Sequence, residues 1–341
     1  MVEFIINFFT VSLLIFFINY LAKKVKFLNN FSGQAHQILT KKETIPLSGG
    51  FALIFLIIIK FSTIEINLLF FLILIFLLGF LADIKILKSP FIRFSLQIII
   101  LFLFVVFLDL MVLEINIEWF DELLKNKYFN YFFLIFCFLV LINGSNFIDG
   151  NNALAIGYYS IIIYVILSFN NSELYEQYQN FISFFFVALL ILLTFNIFNK
   201  LYLGDGGVYL LSSVTGYLLV KLYFEDQNIS PFFIVNLLWY PSFEMLFSLI
   251  RKIKIKFSPM NPDTQHLHQL IFRKLLINFK NRVVFCNSLT GIIINIYHLI
   301  IIYISYLHYT KSLFQIYIIL FNVMIYLFLY FILKNKLFFK K

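Results

Sequence analysis

Along the chain, long apolar runs alternate with short polar joints. Unbroken runs fall at about 4–22, 47–64, 66–82, 91–113, 128–143, 153–170, 181–198, 207–224, 231–250, 284–306 and 313–333. Their lengths cluster around the roughly 20 apolar residues that a helix needs to cross a bilayer. They lack the alternation over about ten residues that marks a strand of a transmembrane barrel. The pattern predicts about 11 transmembrane helices in an all-α polytopic membrane protein. The first run starts with Glu3 rather than a basic stretch, has no small-residue cleavage site and ends in Lys23-Lys24, so it reads as a span and not as a signal peptide. The second run opens in Pro46-Leu-Ser-Gly-Gly and is interrupted by Lys60, and the eighth carries Lys221.

Composition agrees. Hydrophobic residues make up 62% of the 341 and charged residues 13%, against roughly 45–50% and about 25% in soluble domains. That excludes a soluble globular enzyme, a disordered chain and a secreted disulfide scaffold. Cys137 and Cys286 lie in separate apolar runs with no metal-site spacing. The net charge of +9 matters through its placement. The loops at 23–46, 83–93, 144–152, 199–206 and 251–283, with the tail after 333, hold 21 of the 26 Lys and Arg residues. The other loops hold most of the acids, such as Glu114, Glu118, Asp121, Glu122, Glu173, Glu176, Glu225 and Asp226. Basic loops stay in the cytoplasm, so the N-terminus is expected outside and the C-terminus inside a bacterial inner (cytoplasmic) membrane. No nucleic-acid partner is expected. Without a repeat or a Gly/Ser linker, residues 1–341 read as one integral membrane domain.

Four polar clusters fall in the basic loops. They are Gly79-Phe-Leu-Ala-Asp83-Ile-Lys85 with Lys88-Ser-Pro90 and Arg93; Asn143-Gly-Ser-Asn146-Phe-Ile-Asp149-Gly150-Asn151-Asn152; Lys200-Leu-Tyr-Leu-Gly204-Asp205-Gly206-Gly207; and Ser258-Pro-Met-Asn-Pro262-Asp263-Thr-Gln-His266-Leu-His268-Gln269 with Arg273 and Lys274. Taken singly, an Asp at a span end is an interfacial residue, and Gly-Asp-Gly-Gly is turn chemistry. Together they set three carboxylates, two Gly-rich turns, two imidazoles and several cations on one membrane face. Carboxylates there suit Mg²⁺, which keeps waters and substrate phosphates in its shell. Gly-rich turns let backbone N–H groups approach phosphate oxygens, and Arg, Lys and His⁺ offset charge developing on a phosphoryl group. The combination favours metal-assisted phosphoryl chemistry at the cytoplasmic interface. No Walker loop, Rossmann fingerprint or HExxH zinc site is present.

From about residue 45 to 275 the chain resembles the polyprenyl-phosphate N-acetylhexosamine-1-phosphate transferases, glycosyltransferase family 4. Pro46-Leu-Ser-Gly49-Gly50 is similar to the family's T-P-x-x-G-G. Gly79 to Gln97 is similar to its Asp-Asp segment, Asn143 to Ala155 to N-x-x-N-x-x-D-G-x-[DN]-G-L-A, and Leu203 to Gly207 to M-G-D-x-G. Pro241-Ser-Phe-Glu244 with Arg251 stands where the family has P-x-x-D and an Arg, and Pro262 to His268 looks like P-D-x-x-H-[IL]-H-H. The family moves a sugar-1-phosphate from a UDP-sugar to a membrane polyprenyl phosphate, releases UMP and needs Mg²⁺.

The resemblance implies that Asp205 binds Mg²⁺ (Mn²⁺ being an alternative), with Asp83 and Asp149 as further candidate ligands. It implies catalytic roles for Asp83, Asp149, His266 and His268. Substrate contacts are implied for Asn143, Asn146, Lys85, Asn152, Gly206, Asp263 and Arg273. Three positions depart from the family pattern: Ala82 replaces the first Asp of the pair, Asn152 the second Asp of the 149 segment, and Gln269 the last His. The implied partners are a UDP-sugar and undecaprenyl phosphate, with a homodimer left open, and the implied step initiates a cell-envelope polysaccharide. A cytoplasmic groove open to lipid is expected, because one substrate is soluble and the other is anchored in the bilayer. The phospho-MurNAc-pentapeptide branch is the alternative within the family, and His266-Leu-His268-Gln269 looks more like the GlcNAc branch. A transporter, for which Lys60, Asp109, Lys221 and Glu244 are the candidate pathway residues, and a non-catalytic scaffold, motivated by Ala82, are the rivals from other classes.

Overall fold

The computed structural model describes residues 2–25, 45–60, 65–170, 172–254, 256, 258, 264–280 and 282–338. Among the described residues every regular element is a helix: α1 (Val2–Lys24), α2 (Gly49–Ile59), α3 (Ile66–Asp83), α4 (Pro90–Phe107), α5 (Glu118–Leu124), α6 (Lys127–Ile148), α7 (Leu154–Ser168), α8 (Glu173–Ile197), α9 (Gly204–Glu225), α10 (Pro231–Leu237), α11 (Trp239–Lys254), α12 (Leu267–Asn278), α13 (Val283–Tyr306) and α14 (Ser312–Phe338). Seven of these (α3, α4, α6, α8, α9, α13 and α14) are long and apolar enough to cross a membrane, and α10 with α11 makes an eighth candidate bent by 77°.

The apolar runs are therefore helical but unequal. The second expected span is an 11-residue helix, about 16 Å long at ~1.5 Å per residue and roughly half the bilayer core. The ninth is two helices, and Pro241 supplies the reason. It has no N–H for the carbonyl four residues earlier, and its ring crowds that carbonyl. That residue is Leu237, where α10 stops. Pro241 then sits in the first turn of α11, where N–H groups have no helical partner in any case.

Helix α9 is the axis of the bundle. It packs most extensively on α3 and also touches α2, α6 and α7. Its apolar window is 83% buried, against 22% in α4 and α14, whose outward faces are the surface a bilayer would cover. Buried hydroxyls in α9 are satisfied within the helix: Ser212 donates to the Val208 carbonyl at 2.8 Å and Thr215 to that of Leu211 at 2.9 Å. Caps set several helix starts. The Ser89 hydroxyl accepts from the Ile92 N–H ahead of Pro90 at the first position of α4, and Asn126 accepts from the Tyr128 and Phe129 N–H groups at the start of α6.

One end of the bundle gathers the C-terminal ends of α3, α6 and α8 and the N-terminal ends of α4, α7, α9 and α13. The opposite end gathers the starts of α6, α8 and α14 with the ends of α9 and α13. There Glu225 accepts from the Leu174 N–H, the Tyr223 hydroxyl donates to the Glu114 carbonyl, and Gln315 joins Ser305. The described residues of all four polar clusters lie at the first end.

Candidate active site at one end of the helical bundle

The site is built where α3 ends and α9 begins. The carboxylate of Asp83, the last residue of α3, accepts the Asp205 N–H on Oδ1 at 2.9 Å and the Gly206 N–H on Oδ2 at 3.1 Å. It thereby supplies acceptors for two of the orphan donors at the start of α9. Gly204 holds φ +77°, and a Cβ there would press on the Asp83 carboxylate, so this turn needs glycine. From the first turn of α4, Arg93 Nη1 reaches Asp205 Oδ2 at 3.1 Å. The Pro46-Leu-Ser-Gly-Gly segment braces the same turn: Tyr202 N–H donates to the Pro46 carbonyl, while Gly49 and Gly50 N–H donate to those of Tyr202 and Leu203.

Asp149 follows the last turn of α6. Burial holds its carboxyl well above the ordinary value, and the nearby carboxylates of Asp205 and Asp83 push the same way. The next residue, Gly150, touches the other half of the site, since a Cβ on it would meet His268 Nε2 at 3.3 Å. His266 precedes α12 and His268 lies in its first turn; their rings are 8° from parallel with centroids 5.4 Å apart. The His266 ring also lies against Phe147 at 5.0 Å. Behind the histidines, fully buried Glu244 of α11 contacts His266 Nδ1 through Oε2 at 2.9 Å and accepts the Leu267 N–H on Oε1 at 2.9 Å.

The turn after Asp149 is pinned from two sides. Asn151 donates to Asn287 Oδ1 at 2.6 Å, and Asn152 donates to Asn199 Oδ1 at 3.0 Å and to the Ser288 hydroxyl at 3.4 Å. Ala153 holds a left-handed φ of +67°, a strained choice for a non-glycine. It is held there because its N–H donates to Asn196 Oδ1 and its carbonyl accepts from Asn295.

The structure thus brings together Asp83, Asp205, Gly206, Asp149, His266 and His268 of the sequence-derived set. Asn146 lies half-buried in the last turn of α6, and Arg273 half-buried on α12. Lys85 is exposed on a turn with φ +62°. The Asn143 amide goes to Gln97 Oε1 at 3.0 Å and the Leu139 carbonyl at 2.9 Å, and Asn152 is buried in the pinned turn. Asp263 lies outside the described residues. Sequence reading missed Asn196, Asn199, Asn287 and Asn295. For Asn196, Asn287 and Asn295 the available signal was an amide side chain inside an otherwise apolar run, which demands partners once buried; Asn199, in a polar joint, gave none.

For a divalent cation the three acids Asp83, Asp149 and Asp205 offer oxygen donors, which suit Mg²⁺. Among the described residues no three His, Cys, Asp or Glu side chains converge into a cage. The acids fit an ion that takes one or two carboxylates and completes its shell with water and substrate phosphate.

An all-helical protein with several membrane-capable helices and an acid–imidazole site at one end is the class that fold and site define. Within it, residues 65–223 match the model of glycosyl transferase family 4. The chain is similar to the undecaprenyl-phosphate alpha-N-acetylglucosaminyl 1-phosphate transferase of Thermotoga maritima, with 28% identity over 144 residues, 42% of this chain and 43% of that protein. It is also similar to the proteins of that name from Salmonella typhi and Salmonella typhimurium, each 27% identical over 159 residues, 42% of this chain and 41% of theirs. The matches thus span less than half the length of these relatives. They bear out the resemblance read from the sequence.

Proposed function

We propose that this protein transfers an N-acetylhexosamine-1-phosphate from a UDP-sugar to undecaprenyl phosphate, releases UMP and so opens synthesis of a cell-envelope polysaccharide. The site end of the bundle faces the cytoplasm in this reading, because the basic loops lie there, and the acceptor enters from the surrounding lipid. The observation that carries the proposal is the convergence of Asp83, Arg93 and Asp205 from three helices with the Asp149–Gly150 turn against His268. The names of the relatives carry the same acceptor, undecaprenyl phosphate, and an N-acetylglucosaminyl 1-phosphate as the transferred group.

In the reaction an oxygen of the lipid phosphate attacks the sugar-bearing phosphorus. The pyrophosphate P–O bond breaks, and UMP leaves with the bonding pair. A phosphate monoester with a second pKa of about 6 is largely a dianion at pH 7, so attack needs no protein base. That suits a chain with Ala82 in place of a carboxylate and with both Asp83 oxygens engaged by backbone N–H groups. Asp205, with Asp149 or Asp83, would hold Mg²⁺, which offsets pyrophosphate charge when bound. Arg93 holds Asp205 in place, and His266 and His268 donate to phosphate oxygens in their imidazolium forms, in which both ring nitrogens carry a proton, as charge builds on the leaving group.

The test is UMP release by purified protein from a panel of UDP-sugars with undecaprenyl phosphate. The expected result is Mg²⁺-dependent release, highest with UDP-N-acetylglucosamine, and none from Asp205→Asn that still folds. Preference for the UDP-MurNAc-pentapeptide would move the protein to that branch. Silence with every donor would leave a transporter or the scaffold of glycan assembly that Ala82 motivates.

A further inference from the structure

Glu244 is a carboxylate with no exposed surface, in the interior of α11. An uncompensated charge there would be strongly destabilising, so its contacts define what it is for. Oε1 accepts the Leu267 N–H, the first of α12. A negative charge at a helix N-terminus is favourable, and it satisfies an orphan donor. Oε2 meets His266 Nδ1 at 2.9 Å. The His268 Nδ1 is 3.8 Å from Oε1 and 3.4 Å from the Tyr240 hydroxyl. A second tie holds the same turn, since Gln269 Oε1 accepts the His266 N–H.

An ionised carboxylate can only accept hydrogen bonds, and a neutral imidazole carries one N–H. Facing an ionised Glu244, a neutral His266 keeps its proton on Nδ1, and its Nε2 is then an acceptor that donates to a phosphate oxygen only once a second proton makes the ring an imidazolium. The same carboxylate fixes the first turn of α12, which sets the parallel stack of the two imidazoles and puts His268 Nε2 against Gly150.

We propose that Glu244 is a positioning residue for the histidine pair: it selects the Nδ1–H tautomer of His266 and locks the start of α12, so that both imidazoles meet a phosphate ligand in a fixed orientation. The phosphate part rests on the function proposed above; the tautomer does not. The family pattern has Asp at this position, so the role is expected to survive Glu244→Asp. Glu244→Gln should not preserve it, because an amide can donate to Nδ1 as readily as accept from it.

The full-length protein labelled with ¹⁵N-histidine carries only five imidazoles, and a His266→Gln sample identifies the His266 signals. At pH 8 the wild type should show His266 protonated at Nδ1, and Glu244→Gln should bring in the Nε2–H form. In UMP release, Glu244→Gln should lower kcat about 10- to 100-fold, the usual effect of losing a partner that orients a functional imidazole. KM for the UDP-sugar should stay within about threefold, and Glu244→Asp should recover most of the lost kcat. A wild-type His266 protonated at Nε2 would overturn the proposal, whether or not any variant folds. So would a Gln variant with wild-type turnover. If no donor gives UMP while the tautomer is as stated, the transferase reading fails and the structural role of Glu244 stands.

Discussion

Asp83 caps the helix that carries Asp205, taking the Asp205 N–H on one oxygen and the Gly206 N–H on the other. A carboxylate held in this way places its neighbour, while burial and the adjacent Asp205 charge push its carboxyl up to about 8. Placement and base roles predict different variant series. Asn at 83 keeps one acceptor and turns an amide N–H toward the other donor, so it retains part of the cap; Ala retains none. Melting temperatures should fall in the order Asp, Asn, Ala, with Ala losing about 0.5–2 kcal/mol, the scale of a lost helix cap. UMP release should fall at least about 100-fold in Ala, the effect of misplacing a reacting group by about 1 Å, and clearly less in Asn. Equal loss in Asn and Ala would make Asp83 the base. Ala82→Asp should change the rate by less than about tenfold, since a general base adds 10²–10⁴-fold only where one is needed. An inactive parent that gains activity from Ala82→Asp would mark this chain as a degenerate relative.

Helices α6 and α11 cross at Gly144, where a Cβ would run into the Pro241 carbonyl. Gly144→Ala must part the two helices, and with them the elements that carry Asp149 and Glu244. Overpacking of this kind costs about 1–3 kcal/mol. The variant should melt lower in detergent and lose turnover with the UDP-sugar. An unchanged melting temperature would mean that the crossing is looser than described.

Much of this arrangement is legible in the sequence. The apolar runs mark the helices, and the site acids stand at their ends. The bend between α10 and α11 was also legible, because Pro241 bars the Leu237 carbonyl from its helical partner, although the run 231–250 reads as one span by hydropathy alone. The pinned turn was not. Asn151 finds Asn287 across more than a hundred residues of chain, and no local pattern states which buried amide meets which. Nor does the motif state that the amides of Asn143 and Asn152 are tied into the bundle, through Gln97 and through Asn199.

Topology is open to direct labelling. Lys88 and Lys200 are exposed at the site end, and Glu118 is exposed at the start of α5, a helix placed at the opposite end by contact with the start of α6. In a background without Cys137 and Cys286, an impermeant maleimide should label Glu118→Cys in intact cells. Lys88→Cys and Lys200→Cys should react only after lysis. Labelling of the two lysine positions from outside would place the site away from cytoplasmic UDP-sugars and end the transferase reading.

Asp149 gives the pH dependence. Burial, reinforced by Asp205 and Asp83, holds its carboxyl well above the ordinary value, so the folded protein binds this proton more tightly than the unfolded chain, where Asp titrates near about 3.9. The stability that goes with the proton is complete below the unfolded value and is lost as pH rises through the folded one. Asp149→Asn removes that loss. In a chelator at pH 8 the variant should melt above the parent by at least about 2 °C, roughly what 1 kcal/mol is worth in a chain of this size. The gap should close as the pH is lowered, because the parent then regains its proton. Mg²⁺ supplies positive charge to the same carboxylates, so at pH 8 it should raise the parent's melting temperature more than the variant's. A gap that widens on acidification would show that Asp149 is held ionised, and its place beside Asp83 and Asp205 would have to be redrawn.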